Sequence, residues 1–189
     1  MDHYIDIRLR PDPEFSPPLL MNALYNKFHR ALCDLEADDV GISFPEHKLG
    51  VRARTLGKLA RIHGSGSRLE ALMALPWLAG MNDHIERAAV QPVPADAQHC
   101  IVKRTQFNTG GESRAKRYAS RHDVTLEEAR AIYAEVAQRR IDLPFAQINS
   151  RSSGQKFCLF IEHGKPAAKA RPGTFSLYGL SREASVPYF

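Results

Sequence analysis

The chain has 189 residues, of which 43% are hydrophobic and 25% are charged, so it can form one large or two small globular domains with a real core. No apolar run approaches the length of a membrane span, and the charged first residues, MDHYIDIRLR, are not expected to act as a secretory signal. The three cysteines (Cys33, Cys100 and Cys158) are too few and too far apart for a disulfide framework or a cysteine-based zinc site, which fits a cytoplasmic protein.

Strand and helix patterns follow one another through the first half of the chain. Residues 3–9 alternate apolar and polar side chains, as a half-buried strand does. After the prolines of residues 11–18, apolar residues at helical spacing predict a helix. The later predicted elements are strands at 40–44 and 58–63, a helix capped by Ser67 and Glu70 and ended by Pro76, and a strand at 85–90. This order, β-α-β-β-α-β, predicts an α+β chain in which residues 1–94 form a ferredoxin-like domain, a fold too common to indicate a function.

The second half of the chain has a different organisation. Residues 91–98 contain two prolines and no periodicity, so we interpret them as a linker. Residues 95–189, which include the end of this linker, are predicted to form a smaller α+β domain. Its predicted elements are a strand at 99–107, a basic helix, a second helix capped by Thr125 and Glu128, strands at 143–150 and 155–162, and a last strand at 174–177.

Positive charge is concentrated in residues 101–122, although the net charge of the whole chain is only +5. The strand part of this segment places Arg104 and Gln106 on one face. After Gly110 and Gly111, basic residues recur at helical spacing. A strand that offers donors to base edges, followed by a helix that offers donors to phosphates, is typical of a nucleic-acid reader. The alternative is a basic helix whose only role is to face solvent.

Candidate catalytic residues favour chemistry without a metal. The sequence has no His-Glu-x-x-His or Cys-x-x-Cys motif, and its carboxylates are scattered. RNA can be cleaved without a metal, because its own 2′-hydroxyl is the nucleophile and needs only a base and a charge-stabilising donor. His29 lies off the apolar stripe of the first helix, so its ring is predicted to reach solvent or a partner, as a base would need. It could equally be a surface histidine without a role.

Three further features could belong to a site or only to the fold. The turn formed by residues 150–154, Ser-Arg-Ser-Ser-Gly, could bind phosphate oxygens or simply join two strands. Phe157 could stack on a base or belong to the core. Tyr178 could be a half-buried ring with a satisfied hydroxyl.

Long and uncommon strings run from one end of the chain to the other: MDHYIDIRLRPDPEF, ISFPEHKLG, RIHGS, LPWLAG, RHDVTLEEAR, DLPF, SSGQKFCLFIEHG, LYGLS and VPYF. In these strings the chain resembles the Csy-type family, the repeat-processing endoribonucleases of type I-F CRISPR systems. The resemblance implies a protein that uses no metal or other cofactor. It implies binding to the hairpin of the precursor CRISPR RNA, cleavage at the 3′ base of the stem to leave a 2′,3′-cyclic phosphate and a 5′-hydroxyl, and retention of the product beside the other subunits of the surveillance complex.

The resemblance also implies a role for individual residues. The catalytic histidine of the family matches His29. The serine that positions the ribose matches Ser150, and the tyrosine that orients the catalytic histidine matches Tyr178. The remaining matches are RNA-binding positions: Ser152 near the scissile phosphate, Arg104 and Gln106 at the base edges, Phe157 on the terminal base pair, and Arg114, Lys116, Arg117 and Arg121 on an arginine-rich helix that enters the groove.

One departure from the family concerns that helix, which is interrupted by Ala115, Tyr118, Ala119 and Ser120 and approached through two glycines. The affinity or the preferred hairpin is therefore expected to differ from those of relatives with a denser helix. Two other functions stay open from the sequence: a scaffold protein that binds an RNA hairpin without cutting it, and a module that binds DNA through the basic helix.

Overall fold

A computed structural model describes residues 1–50, 52, 54–106, 111–138, 142–149 and 154–189. The described residues form a mixed α+β structure with antiparallel sheets. The strands are β1 (His3–Leu9), β2 (Gly41–Ser43), β3 (Leu59–Gly64), β4 (Ile85–Arg87), β5 (Gln91–Pro92), β6 (Gln98–Cys100), β7 (Val102–Thr105), β8 (Phe145–Asn149), β9 (Lys156–His163) and β10 (Val186–Tyr188). The helices are α1 (Pro17–Asp34), α2 (Gly66–Ala74), α3 (Gly111–His122) and α4 (Leu126–Gln138), with a 3₁₀ turn at Asn82–His84.

The first sheet has the strand order β2-β3-β1-β4, and every neighbouring pair in it is antiparallel. The apolar stripe predicted for α1 is confirmed, because Leu20, Leu24, Phe28 and Leu32 are all buried in the core with the inner residues of β1. Ser16 precedes α1 in an extended conformation, and prolines follow at the first helical positions, where a missing backbone N–H costs nothing.

A second sheet, with the order β7-β9-β8, and a two-stranded sheet of β6 and β10 complete the described structure. Buried apolar side chains of both halves belong to one cluster, which includes Leu24 of α1, Ile148 of β8 and Val186 of β10. The division of the chain at residue 94 therefore stays a prediction. Among the described residues, no helix is both long and apolar enough to cross a membrane.

The end of the chain is tied to the first sheet. Arg61 of β3 holds Asp6 of β1 through two hydrogen bonds of 2.7 and 2.8 Å, and it donates a third of 2.7 Å to the carbonyl of Phe189. Its guanidinium also lies 4.0 Å from the centre of the Phe189 ring. These contacts fix the residues that follow β10 against β1 and β3.

Two predictions for the C-terminal half were wrong. Residues 174–177 are not a strand: Gly179 has a φ of +68°, and its N–H donates to Ser176 O at 2.7 Å, so the chain turns there. The terminal strand is β10, because the tail finds a partner in β6. The single strand predicted at 99–107 is two, since β6 pairs with β10 whereas β7 pairs with β9; Phe107 lies outside the described residues.

Two smaller expectations also needed correction. The cap of α2 is Ser65 and not Ser67, because Ser65 Oγ accepts a hydrogen bond from the N–H of Arg68 at 3.2 Å. The linker predicted at 91–98 begins as strand, since Gln91–Pro92 pairs with β1. The predicted cap of α4 is confirmed, because Thr125 and Glu128 exchange hydrogen bonds of 2.9 and 3.3 Å.

Candidate active site

The ring of His29 is held from two directions near the end of α1. Its Nδ1 lies 2.7 Å from the carbonyl oxygen of Leu177, which can only accept, so Nδ1 carries a proton and donates. The ring also stacks on Tyr178, with the ring centres 4.0 Å apart and the planes at 12°. In a neutral imidazole with its proton on Nδ1, the lone pair is on Nε2. The geometry therefore fixes both the tautomer and the orientation that a general base requires.

Cys33 follows His29 by one helical turn and contacts the same ring. Its Sγ lies 3.8 Å from Nδ1 and 3.9 Å from Nε2. These distances are nearly equal, so the sulfur favours neither nitrogen. The thiol is half-buried and packs beside the imidazole as a polarizable, weakly polar neighbour.

The turn at residues 176–180 delivers Leu177 and Tyr178 to His29. Besides its bond to Ser176, Gly179 accepts a hydrogen bond of 2.9 Å from the N–H of Ile42, which fastens the turn to β2. A Cβ at Gly179 would lie 2.9 Å from Cε1 of Phe28 and 3.1 Å from Cγ2 of Ile42, both of them buried. Glycine is thus required here by its positive φ and by the close approach of the core.

Tyr178 is fixed through its backbone as well as its ring. Its carbonyl accepts a hydrogen bond of 2.8 Å from the hydroxyl of Tyr25 on α1. Tyr25 is 1% exposed, and its burial raises the pKa of its hydroxyl well above the usual value, so it remains a donor at any ordinary pH. Burial also raises the pKa of the Tyr178 phenol, an effect that nearby Arg104 opposes.

Arg104 of β7 connects the histidine site, formed by His29 and Tyr178, to the second sheet. Its guanidinium carbon lies 5.4 Å from the centre of the Phe157 ring and 6.0 Å from that of Tyr178. Phe157 itself meets Tyr178 edge-on at 6.5 Å. On the other side, Arg104 and the exposed Gln106 line a cleft of about 850 Å³ that also includes Arg182. Arg104 and Phe157 thus lie beside the Tyr178 ring that stacks on His29, whereas Gln106 lines the cleft on the other side of Arg104.

The basic residues of α3 face solvent. Ala115 of α3 and Ala129 of α4 are completely buried, and Tyr118 meets Tyr133 edge-on at 6.0 Å, so the two helices pack through small and aromatic residues. The exposed residues of α3 include Arg114, Lys116, Arg117 and Arg121. Interruption of the basic run by Ala115 and Tyr118 therefore has a packing reason, because these residues form the contact with α4.

The predicted site residues fall into three groups. His29, Tyr178, Phe157 and Arg104 lie together, and Gln106 lines the adjoining cleft with Arg104. The basic residues of α3 form a separate exposed set. Ser150 and Ser152 lie outside the described residues. Within the described part of the chain, no group of three or more His, Cys, Asp or Glu side chains is arranged to hold a metal ion.

A family model described as "CRISPR-associated protein (Cas_Csy4)" matches residues 4–189. The chain belongs to the Cas_Csy4 family. Among its relatives, the "CRISPR-associated endonuclease Cas6/Csy4" of Pseudomonas aeruginosa (strain UCBPP-PA14) is 44% identical over 189 residues, and the alignment covers 100% of both chains. The protein of the same name from Escherichia coli (strain UTI89 / UPEC) is 40% identical over 189 residues, again with 100% of both chains covered. The family resemblance seen in the sequence is thus confirmed.

Sequence reasoning missed three partners of the histidine site in this Cas_Csy4 chain: Leu177, Tyr25 and Cys33. Leu177 acts through its backbone carbonyl, which no residue pattern reveals. Tyr25 lay within the apolar face of α1, so it was indistinguishable from a core residue. Cys33 carried a usable signal, because it follows His29 by four residues on a predicted helix and must share its side.

Proposed function

We propose that this protein is a metal-independent endoribonuclease specific for an RNA hairpin. It cleaves precursor CRISPR RNA at the 3′ base of the repeat stem-loop. The 2′-oxygen bonds to the adjacent phosphorus, the bond from phosphorus to the 5′-oxygen breaks, and the products carry a 2′,3′-cyclic phosphate and a 5′-hydroxyl. The protein then retains the cleaved hairpin. Both relatives are named as CRISPR-associated endonucleases, which supports this proposal.

The fixed ring of His29 is the observation that carries this proposal. With Nδ1–H bound to Leu177, the lone pair of Nε2 is available to take the proton of the 2′-hydroxyl. Stacking on Tyr178 restrains the ring before substrate arrives, which lowers the entropic part of the barrier. Because the nucleophile belongs to the substrate, this step requires no metal-bound water, and we propose no cofactor.

The other catalytic roles follow from the family. Ser150 positions the ribose, Ser152 lies beside the scissile phosphate, and Tyr178 orients His29. The stacking distance of 4.0 Å between Tyr178 and His29 supports the last of these roles.

RNA recognition is proposed to use two surfaces. Arg104 and Gln106 read base edges at the foot of the stem, and Phe157 stacks on the terminal base pair; the contact of Arg104 with Phe157 supports their joint action. The second surface consists of Arg114, Lys116, Arg117 and Arg121 on the arginine-rich helix α3. The major groove of A-form RNA is too deep and narrow for side chains to read, so this helix requires a duplex that ends or opens, as a short hairpin does.

We further propose that residues 1–94 form a ferredoxin-like domain and residues 95–189 a C-terminal RNA-recognition domain. The antiparallel order β2-β3-β1-β4, with α1 and α2 between its strands in the chain, supports the first assignment. The protein works in the cytoplasm with the other subunits of a type I-F surveillance complex, and with no membrane partner.

Cleavage of a type I-F repeat RNA in EDTA tests the reaction. We expect one cut at the stem base with cyclic-phosphate and 5′-hydroxyl ends, and no cut when the scissile 2′-hydroxyl is replaced by hydrogen. His29→Ala should lower the rate by about two to four orders of magnitude, as loss of a general base does. His3→Ala is the control, because His3 lies on β1 and not on α1, and its Nδ1 is 3.0 Å from Asp2 Oδ1. An RNA left whole in EDTA but cut with magnesium, or a deoxy substrate that is still cut, contradicts the proposal.

The same variants separate the two alternatives. A scaffold that only binds the hairpin predicts that His29→Ala leaves its activity in cells unchanged. A DNA-binding module predicts that duplex DNA competes with the hairpin at physiological salt, with the steep salt dependence of phosphate contacts.

A further inference from the structure

A polar stripe runs along α1 beside its apolar one. It consists of Asn22, Asn26, His29 and Cys33, which are spaced four, three and four residues apart and therefore share one side of the helix. All four are half-buried. At one end of the stripe, His29 contacts Cys33 and stacks on Tyr178. The two asparagines at the other end have different partners.

Both asparagines bind the backbone of β8. This strand is at the edge of the second sheet, so its outer N–H and C=O groups face away from β9. Asn22 Oδ1 accepts from the N–H of Gln147 at 2.9 Å, and Asn26 Oδ1 accepts from the N–H of Asn149 at 2.9 Å. Asn26 Nδ2 also donates to the carbonyl of Gln147 at 2.7 Å. The two side chains thus replace a missing neighbouring strand over alternate residues of β8.

The orientation of each amide is determined by these partners. A backbone N–H needs an acceptor, so Oδ1 of Asn22 and of Asn26 must point to β8. Asn26 Nδ2 is also held by its own helix, because it donates to the carbonyl of Asn22 at 2.7 Å. The Asn26 side chain is therefore held both by the backbone of α1 and by the backbone of β8. Such a link has less freedom than a contact between two long side chains.

We propose that Asn22 and Asn26 are positioning residues that fix His29 on α1 relative to the end of β8. Asn26 lies three residues before His29, a rise of about 4.5 Å along the helix. Asn149, its partner, is the last residue of β8, and Ser150 follows it in the sequence. This inference rests on the proposed function, in which His29 and Ser150 act on the same ribose.

Amide hydrogen exchange tests the link without any RNA. In the wild-type protein, the N–H groups of Gln147 and Asn149 should exchange more slowly than the outward-facing N–H groups of an edge strand that lack an acceptor. Asn22→Ala should speed exchange at Gln147, and Asn26→Ala should speed it at Asn149. Asn22→Asp keeps the accepting oxygen, so it should preserve the protection of Gln147. The matched control is Asn82→Ala on the exposed 3₁₀ turn, which should change neither amide.

Cleavage kinetics test the consequence for the site. At a temperature where the variant is folded, Asn26→Ala should lower the single-turnover rate roughly tenfold or more, since small misplacements of reacting groups are costly, while hairpin affinity stays near the wild-type value. Asn22→Asp should cleave faster than Asn22→Ala. The proposal is overturned if the alanine variants speed amide exchange in β8 but leave the cleavage rate unchanged. It is also overturned if they leave amide exchange unchanged, or if they lower the cleavage rate and the hairpin affinity by the same factor. A wild-type protein that does not cut RNA refutes the proposed function instead, and hydrogen exchange alone then decides whether the asparagines hold β8.

Discussion

Replacement of Gly179 by alanine is the sharpest perturbation that the site offers. Gly179 has a φ of +68°, and an added Cβ would lie 2.9 Å from Cε1 of Phe28. The left-handed conformation costs alanine roughly 1–2 kcal/mol, of which a stiffer unfolded chain returns about 0.4–1 kcal/mol. Crowding of a packed core adds about 1–3 kcal/mol, because the Phe28 ring is 1% exposed and cannot move aside.

Gly80 supplies a matched control for this substitution. Its φ is +75°, close to that of Gly179, but nothing lies within 4 Å of the position of its Cβ. Gly80→Ala should therefore show the conformational cost alone, about 1 kcal/mol. We expect urea unfolding to place Gly179→Ala a further 1–3 kcal/mol, roughly, below Gly80→Ala in stability.

The same pair of variants reports on catalysis. Gly179 is next to Tyr178, and Leu177 O in the same turn holds Nδ1 of His29. In Gly179→Ala, displacement of the turn should lower the single-turnover cleavage rate about tenfold or more, measured without urea at a temperature where both variants are folded. Gly80→Ala should cleave at the wild-type rate. Equal stabilities of the two variants, within about 0.5 kcal/mol, would refute the steric reasoning. Equal cleavage rates would refute the role of the turn in holding His29.

Three other measurements follow from single contacts. Complete burial lowers the pKa of His63 from 6.5 to about 3, so below pH 6.5 this histidine binds a proton in the unfolded chain but not in the folded protein. His63 alone should therefore lower the free energy of unfolding by up to about 1.4 kcal/mol per pH unit as the pH drops below 6.5. Urea unfolding at pH 7 and pH 5 should show a smaller pH dependence of the free energy of unfolding for His63→Asn than for the wild type. Arg104→Ala should weaken hairpin binding by about 1–3 kcal/mol, whereas Arg121→Ala should lower the slope of log affinity against log salt by about one, a contrast that titrations at several salt concentrations would detect. Tyr25→Phe removes the hydroxyl that Tyr178 O accepts, and it should cost about 1–2 kcal/mol in urea unfolding.

Elements specified by local signals could be predicted from the sequence. The alternation of β1, the apolar stripe of α1 and the capping pair of Thr125 and Glu128 all act within a few residues, and all three are confirmed. The terminal strand could not be predicted in this way. β10 has three residues, and it exists because β6 offers it a partner from far back in the chain.

The candidate site shows the same limit. The position of His29 off the apolar stripe was readable from helical spacing, but its contact with Tyr178 joins residues that are far apart in the chain. That pairing came from the family resemblance and not from any pattern. The apolar periodicity of α1 does not reveal Asn22 and Asn26. Their spacing with His29 and Cys33 is present in the sequence, but their partners on β8 are not.

Helix α1 determines the site because each of its sides has a different partner. Its apolar stripe is buried with the first sheet, so the helix cannot rotate without exposing residues such as Leu24 and Phe28. The polar stripe then has a fixed direction, and Asn26 and His29 must meet β8 and the turn of Tyr178 at set positions. Those partners are backbone groups, whose positions do not depend on a rotamer. The orientation of the imidazole is therefore a consequence of core packing, and a substitution that lets α1 rotate should impair cleavage even where it leaves every residue of the site intact.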